Sequence, residues 1–362
     1  MPKSNSYFSK NLILWYLAHK RDLPWRTTRI PYYIWLSEII LQQTRVAQGL
    51  PYYNAFVSKY PTVEDLANAS EQEVLKLWQG LGYYSRARNL HATSKYVSND
   101  LKGVFPTSYN ELLSLKGVGD YTASAIASIC FNEAAAVVDG NVYRVLARYF
   151  GIATPINSSL GIKEFKKLAQ QLIDIENPGT YNQAIMEFGA RHCKPQNPDC
   201  ESCIFNDSCL ALQQKKVSEL PVKLKKTKVK KVNFNYLVLL TEDGKTLLEQ
   251  RTGKGIWQNL YEFPLIETEK DLNLNELQDL SDYKSLNLKH GISSIVHYNE
   301  KPILHKLSHR HINARFWIAE TSKTLDNAIS IDQIETMPVP QLIGNFINTF
   351  FNNKETIQKQ KK

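Results

Sequence analysis

The stretch Leu115-Lys116-Gly117-Val118-Gly119-Asp120-Tyr121-Thr122-Ala123 predicts a helix-hairpin-helix in the first half of the chain. A helix that ends near Leu115, a turn with two glycines and a new alanine-bearing helix give this motif, because glycine permits the tight backbone of the turn. Backbone amides at the start of the second helix then point outward and form a site for a phosphate group. Gly117, Val118 and Gly119 are therefore candidates for sequence-independent contact with a DNA backbone. An ordinary turn between two helices is the alternative.

Four cysteines follow further along the chain in a C-x6-C-x2-C-x5-C array, formed by Cys193, Cys200, Cys203 and Cys209. Four thiolates within one short, proline-containing stretch can wrap a single metal centre. The spacing alone does not decide between a structural zinc ion and a 4Fe-4S cluster. Either group would hold a loop that is too small to build a core of its own.

A first candidate catalytic carboxylate is Glu38, within the segment Ile34-Trp35-Leu36-Ser37-Glu38-Ile39-Ile40-Leu41-Gln42. On a helix, the neighbours of Glu38 three and four residues away are mostly apolar. Loss of solvation on such a face raises the pKa of a carboxyl group and keeps a proton available near neutral pH. The alternative is a solvated glutamate at the polar edge of the helix.

A second candidate is Asp139, in Val137-Val138-Asp139-Gly140-Asn141-Val142-Tyr143-Arg144. The helical pattern that starts at Val142 makes Asp139 or Asn141 the N-cap of a helix. A carboxylate that accepts amide hydrogen bonds there is expected to stay ionised. A protonated Glu38 and an ionised Asp139 would suit cleavage of a glycosidic bond through an oxocarbenium-like transition state.

The chain has 362 residues, enough for two domains. The pattern is mostly helical up to about residue 212, whereas residues 234–240, 292–298 and 312–319 have the composition of strands. We therefore expect a mainly α-helical domain followed by a smaller α+β domain. The expected boundaries are a helical domain at 1–214, with the hairpin at 112–128 and the cysteine loop at 193–209, a lysine-rich linker at 215–231, an α+β domain at 232–350 and a basic tail at 351–362.

The charge of the chain is unevenly distributed. The formal net charge is +9, and the lysine-rich segments 215–231 and 351–362 carry all of that excess. The basic composition therefore says little about the folded domains, and the two segments are read as a solvated tether and tail, with loose attraction to polyanions as the alternative. No apolar run approaches a membrane span, no secretory signal is expected, and five unevenly placed cysteines fit a reducing cytoplasm.

Together these segments resemble the helix-hairpin-helix DNA glycosylase superfamily, and within it the MutY family of adenine DNA glycosylases. The resemblance extends from Arg21-Asp22-Leu23-Pro24-Trp25-Arg26 to the region of His309 and includes Gly80-Leu81-Gly82-Tyr83-Tyr84-Ser85-Arg86 and Gly255-Ile256-Trp257-Gln258-Asn259-Leu260-Tyr261-Glu262-Phe263-Pro264. It implies a 4Fe-4S cluster at the four cysteines and a Nudix-like domain that recognises 8-oxoguanine in the second half. It also implies a monomer that acts on duplex DNA in the cytoplasm, associated with the nucleoid.

The resemblance further implies a reaction. The substrate would be adenine mispaired with 8-oxoguanine or guanine, extruded from the duplex into a pocket. Glu38 would protonate adenine N7 and Asp139 would stabilise the sugar cation, while Tyr121 and Asn141 orient the pair. The remaining implied site residues are Trp25, Arg26, Leu41 and Glu187 in the pocket, Gln43 and Tyr83 as a wedge in the DNA helix, and Thr44, Leu81, Ser308 and His309 near the oxidised guanine. Read singly, each of these would more often be a packing or surface residue.

One position separates this family from its endonuclease III relatives, and two other positions depart from the family pattern. Tyr121 stands where the related endonuclease III enzymes have a Schiff-base lysine, which implies a glycosylase without a dedicated lyase step. Leu307 replaces an aromatic residue beside Ser308, and Lys116 replaces a proline in the hairpin. The Nudix-like half has no glutamate-rich box, so pyrophosphate hydrolysis is not expected. The alternatives are an endonuclease III-like glycosylase and lyase acting on oxidised pyrimidines, and a non-catalytic iron-sulfur DNA-binding protein.

Overall fold

The computed structural model describes residues 5–224 and 229–359, with the side chains of residue 5 and of 352–359 left out. Parts of the expected lysine-rich linker and of the expected basic tail lie outside the described residues. The chain forms two compact units, one from residues 1–69 and 89–226 and the other from residues 70–88 and 227–362. Within the described ranges, no helix is both long and apolar enough to cross a membrane.

Helices supply nearly all of the first unit, and the second unit combines helices with a sheet. In chain order they are α1 (Asn5–His19), α2 (Pro31–Leu41), α3 (Val46–Lys59), α4 (Val63–Asn68), α5 (Glu71–Leu77), α6 (Ser85–Asn99), α7 (Tyr109–Leu112), α8 (Asp120–Phe131), α9 (Gly140–Phe150), α10 (Ser159–Leu172), α11 (Pro178–Arg191), α12 (Leu210–Gln213), α13 (Leu274–Asp279), α14 (Ser281–His290), α15 (Ile331–Thr336) and α16 (Gln341–Lys359), with a 3-10 turn at Pro24–Arg26.

Helix α11 is the centre of the first unit, where it packs against α1, α8 and α9. Its approach to α8 depends on Gly179, because a Cβ atom there would lie 2.7 Å from the carbonyl oxygen of Ser128. An aromatic cluster of Phe8, Tyr149 and Phe205, with ring centroids 4.6 to 5.0 Å apart, joins α1 and α9 to the cysteine loop. These contacts place the starts of α8 and α9 in one unit with α2.

The predicted hairpin is confirmed between α7 and α8. Gly117 has a φ of +82°, and a Cβ atom there would lie 2.7 Å from the Cβ of Asn89, so the position requires glycine. Although Lys116 replaces the proline that the resemblance implies, the turn is closed, because the Val118 amide donates to the Leu115 carbonyl at 3.1 Å. The hydroxyl of Thr93 also donates to the carbonyl of Lys116 at 2.7 Å.

The second unit contains a five-stranded mixed sheet with the order β4-β1-β7-β5, in which β6 also pairs with β7. The central pair β1 and β7 is parallel, and the other pairs of this sheet are antiparallel. The three segments with strand composition fall in β1, β5 and β7, which confirms them as strands. The strands are β1 (Lys230–Leu240), β2 (Glu249–Gln250), β3 (Tyr261–Glu262), β4 (Leu265–Thr268), β5 (Ile292–His297), β6 (Ile303–Lys306) and β7 (Arg310–Thr321).

Residues 70–88 belong to the second unit although they precede the sheet by about 140 residues of sequence. Lys76 Nζ donates to the carbonyl of Met337 at 3.1 Å, and the hydroxyl of Tyr84 donates to that of Val339 at 3.3 Å. Arg88 Nη1 donates to the carbonyl of Gln258 at 2.8 Å. The segment that carries Leu81 and Tyr83 is therefore built against the α+β part of the chain.

Candidate active site

An open cavity of about 940 Å³ lies in the first unit, among α2, the starts of α8 and α9, α11 and the turn at Pro24–Arg26. It brings together residues that are far apart in the sequence. Among its lining residues are nine of those that the sequence analysis singled out: Trp25, Arg26, Glu38, Leu41, Thr44, Tyr121, Asp139, Asn141 and Glu187.

Glu38 lies on the buried face of α2, and 7% of its surface is exposed. Burial raises the pKa of Glu38 to about 7, and the nearby charge of Asp139 raises it further. A hydrogen bond from Tyr121 and the charge of Arg26 oppose this rise. The direction and its main cause agree with the prediction from the apolar helix face.

Asp139 is the N-cap of α9, as predicted. Its carboxylate accepts hydrogen bonds from the backbone amides of Asn141 and Val142 and from Asn141 Nδ2, all at 2.8 Å. Burial nevertheless raises the pKa of Asp139 above its ordinary value, and the three hydrogen bonds limit this rise. The charge of Asp139 is itself one of the causes that raise the pKa of Glu38, so the two carboxyl groups influence each other's ionisation. The sequence analysis anticipated the hydrogen bonds but not the burial.

Tyr121 connects the hairpin to the carboxylates. It lies in the first turn of α8, directly after the hairpin, and shares a hydrogen bond with Glu38. Its hydroxyl also contacts the sulfur of Met186 at 3.1 Å. Burial and the two nearby carboxylates raise the pKa of Tyr121 well above its ordinary value, so the hydroxyl keeps its proton and acts as a donor.

Glu187 is buried in the cavity wall between two arginines, not on a solvated helix face. Its carboxylate accepts from Arg21 Nη2 at 2.6 Å and from Arg26 Nη2 at 2.7 Å, with 1% of its side chain exposed. Burial alone would raise the pKa of Glu187, but the two arginines outweigh it and lower the pKa to about 2. The ion pair of Arg21 with Glu187 is not predicted from the sequence, since the two residues are 166 positions apart in the chain.

Arg144 makes a second set of contacts at the site that could not be predicted from the sequence. Its Nη2 donates to the side-chain oxygen of Asn141 at 2.8 Å and to the carbonyl of Gly189 at 2.6 Å, and its Nε donates to the carbonyl of Cys193 at 2.7 Å. Gly189 makes this junction possible, because a Cβ atom there would lie 2.7 Å from the Cβ of Asn141. One guanidinium thus joins the cap of α9 to α11 and to the first cysteine of the array.

The four cysteines of the array line one small cavity, together with Arg148, Tyr149 and Phe188. Arg148 Nη1 lies 3.4 Å from the sulfur of Cys193 and donates to the carbonyl of Lys194 at 2.6 Å. Among the described residues, no group of three or more His, Cys, Asp or Glu side chains converges closely enough to hold a metal ion. The four cysteines therefore surround one common space.

A further cavity, of about 440 Å³, lies in the second unit. It brings together Leu81 and Tyr83 from the early segment with Ser308 and His309 from the turn between β6 and β7, and Leu307 also lines it. Tyr83 has a φ of +47° and is 50% exposed. Gln43, the other predicted wedge residue, is exposed with a φ of +56° and lies outside the lining of both cavities. Positive φ angles like those of Tyr83 and Gln43 are uncommon for residues other than glycine.

Comparisons with known proteins agree with this arrangement. Residues 36–171 match the HhH-GPD superfamily of base excision DNA repair proteins, and residues 235–349 match the NUDIX domain. An adenine DNA glycosylase of Buchnera aphidicola (subspecies Acyrthosiphon pisum) is 32% identical over 95% of this chain and 99% of its own length. The adenine DNA glycosylase of Rattus norvegicus is 46% identical over 59% of this chain and 44% of its own length.

A solved structure of a thermostable thymine-DNA glycosylase matches 58% of this chain and 97% of its own, with a TM-score of 0.54 and 32% identity. The two family matches fall in the order of the two expected domains, and the Buchnera relative extends over nearly the whole chain. The hairpin of the first unit and the sheet of the second unit therefore each lie within a family match. The chain belongs to the adenine DNA glycosylase family and acts in base excision repair.

Proposed function

We propose that the chain hydrolyses the N-glycosidic bond of adenine mispaired with 8-oxoguanine or guanine in duplex DNA, without cutting the strand. The observation that carries this proposal is the pair of buried carboxyl groups, Glu38 and Asp139, in one cavity with Tyr121. Their environments give them different proton affinities, which is the condition for an acid and an anion to work side by side.

Glu38 supplies the proton. With a pKa of about 7, it is protonated in a large fraction of molecules at neutral pH. It transfers that proton to N7 of an extruded adenine, which makes the base a better leaving group. Tyr121 donates a hydrogen bond to Glu38 and so orients the carboxyl group that faces the base.

Asp139 stabilises the positive charge that develops on the sugar as the bond breaks. Its three hydrogen bonds fix the carboxylate before the reaction starts, so little reorganisation is needed in the transition state. Asn141 contributes through its backbone and side-chain amides, and Arg144 holds the oxygen of the Asn141 side chain. Trp25, Leu41 and the ion-paired Glu187 form the wall against which the base is held.

The absence of a lyase step follows from Tyr121, which cannot form an imine. Lys194, on the cysteine loop, is the only lysine among the described residues that line the cavity. We expect intact abasic strands that break only in hot alkali. Any weak borohydride trapping should disappear in Lys194→Met, whereas Tyr121→Lys should introduce trapping by placing an amine at the cavity. Efficient nicking without alkali in the unchanged protein would contradict this part of the proposal.

The cysteine array is proposed to hold a 4Fe-4S cluster. The donor set fits, since four thiolates around one cavity are the usual ligands of such a cluster. The cluster would supply a rigid cross-link for residues 193–209. Absorbance near ~400 nm and about four irons per chain would support it, and one zinc in a colourless, active protein would not.

DNA would be held by the hairpin and read by the second unit. The start of α8 and the amides of Gly117 and Gly119 form the proposed phosphate contact, while the amide of Val118 is already used within the turn. Leu81, Ser308 and His309, which line one cavity, are proposed to face the oxidised guanine, and Tyr83 and Gln43 to enter the helix beside the mispair. Thr44 lines the base cavity and is proposed to contact the guanine side from there.

A single-turnover assay of adenine release from a duplex with one adenine opposite 8-oxoguanine tests the central proposal. Glu38→Gln should bind this duplex and release almost no adenine, because it keeps the shape and loses the proton. Asp139→Asn should behave similarly through loss of charge. A near-normal rate in either variant removes that residue from its role, and no release by the unchanged chain would favour the non-catalytic alternative.

A further inference from the structure

The loop that presents Tyr83 has an unusual backbone conformation. Gly80, Gly82 and Tyr83 all have positive φ angles, of +102°, +72° and +47°. Glycine adopts such angles readily, but for a bulky aromatic residue they are uncommon and persist only where the surroundings enforce them. Since Tyr83 is half exposed, its own packing supplies only part of that enforcement.

Two side chains hold the loop from inside the second unit. Arg86 Nη2 donates to the carbonyls of Leu81 and Gly82, both at 3.2 Å, and the indole Nε1 of Trp78 donates to the carbonyl of Gly82 at 3.1 Å. The Arg86 amide also donates to the carbonyl of Tyr83 at 2.9 Å. The polar groups of the turn are thus gathered around one guanidinium.

The same guanidinium lies between two aromatic rings. Its central carbon is 5.0 Å from the ring centre of Trp78 and 5.8 Å from that of Tyr83. Arg86 is 7% exposed, and burial lowers its pKa to about 10, which leaves it charged at neutral pH. A desolvated cation over an aromatic face is attracted more strongly than an exposed one. Arg86 is not among the residues that line the neighbouring cavity, and its contacts are made with the carbonyls and rings of the loop.

We propose that Arg86, supported by Trp78, is a positioning residue that holds Tyr83 in the conformation in which it enters the DNA helix. The inference rests on the proposed wedge role of Tyr83 and adds the side chains that prepare it. A planar fork of donors is needed, because one end of Arg86 bonds two carbonyls while its face meets two rings. Lysine keeps the charge but cannot make both sets of contacts.

A double-mutant cycle on the full chain tests the proposal. Single-turnover adenine release opposite 8-oxoguanine is measured for Arg86→Lys, Tyr83→Ala and the double variant. We expect Arg86→Lys to slow the reaction about fivefold to tenfold, and to have almost no further effect once Tyr83 is alanine. A 2-aminopurine placed beside the mispair gives a second readout, since its fluorescence rises when the wedge unstacks it. That rise should be smaller in Arg86→Lys.

Matched variants separate positioning from stability. Arg315→Lys makes the same chemical change in the same unit, where the guanidinium also bonds two carbonyls, and should leave both readouts unchanged. Trp78→Phe removes the indole donor to the Gly82 carbonyl, leaves the Arg86 donor in place and keeps a ring, so it provides a milder test should Arg86→Lys fold poorly. Equal slowing by Arg86→Lys with and without the Tyr83 ring would overturn the proposal. A neutral Tyr83→Ala would instead overturn the wedge role on which it rests.

Discussion

Replacing Glu38 by glutamine should make the protein more stable at alkaline pH while it abolishes catalysis. The folded chain holds the proton of Glu38 with a pKa of about 7, against an ordinary value of 4.5. Ionising the buried carboxyl therefore lowers the free energy of unfolding, by about 1.4 kcal/mol for each unit of pKa difference. The penalty is absent below about pH 4.5, grows between the two pKa values and reaches about 3 kcal/mol above pH 7. Glutamine keeps the shape and carries no such penalty.

Urea or thermal unfolding at several pH values measures this effect. The stability gained in Glu38→Gln should be about 3 kcal/mol larger at pH 8.5 than at pH 4.5, a difference of about 6–12 °C in midpoint for a unit of this size. Glu176→Gln, at an exposed position, should show no pH-dependent gain. Adenine release by the unchanged chain should fall about tenfold per pH unit well above pH 7. A gain from Glu38→Gln that is equal at both pH values would refute the reasoning.

Three further results are expected. Glu187→Gln should destabilise the folded state by about 3 kcal/mol at neutral pH, because it leaves two arginines of a buried ion pair without their anion. The pKa of Glu187 is lowered to about 2 in the folded chain. The stabilisation by this carboxylate is therefore present above about pH 4.5 and is lost as the pH falls towards 2. Unfolding curves at pH 7 and pH 3 check this, and a gap that does not shrink at pH 3 would contradict it. Cys203→Ser should lower the absorbance near ~400 nm and weaken DNA binding together, whereas full binding by a colourless protein would separate the cluster from DNA affinity. Ser308→Ala should reduce the preference for 8-oxoguanine over guanine about fivefold, the effect of about 1 kcal/mol for one hydrogen bond, and an equal loss on both mispairs would assign Ser308 to general affinity.

The sequence was most informative where function depends on local backbone geometry. The hairpin follows from two glycines in a short stretch, and the cap at Asp139 follows from one carboxylate ahead of an apolar helical pattern. The direction of the Glu38 pKa shift was also predictable from its apolar neighbours three and four residues away, although Tyr121, Asp139 and Arg26 contribute from distant segments. For the hairpin and the cap, the cause and the effect lie within a few residues of one another.

Contacts between distant segments were not predictable in the same way. Periodicity identifies the face of a helix but not the residue that meets it, so the pairing of Arg21 with Glu187 and the bonds of Arg144 to Gly189 and Cys193 were missed. The upward shift in the pKa of Asp139 was missed for the same reason, because it depends on burial by other helices. Trp25 and Leu41 did not have to be either packing residues or pocket residues, since a side chain in a cavity wall packs on one side and lines the cavity on the other.

The membership of residues 70–88 in the second unit has a consequence for biosynthesis. Trp78 and Tyr84 are buried in the finished protein, yet the strand β1 that begins their unit's sheet is translated more than 140 residues later. At a ribosomal rate of about 5–20 residues per second, this segment waits about 7–30 seconds for its partners. During that interval the nascent chain presents these aromatic side chains to solvent or to a chaperone. The joining of an early segment to a late sheet therefore leaves apolar surface open to aggregation while the chain is being made.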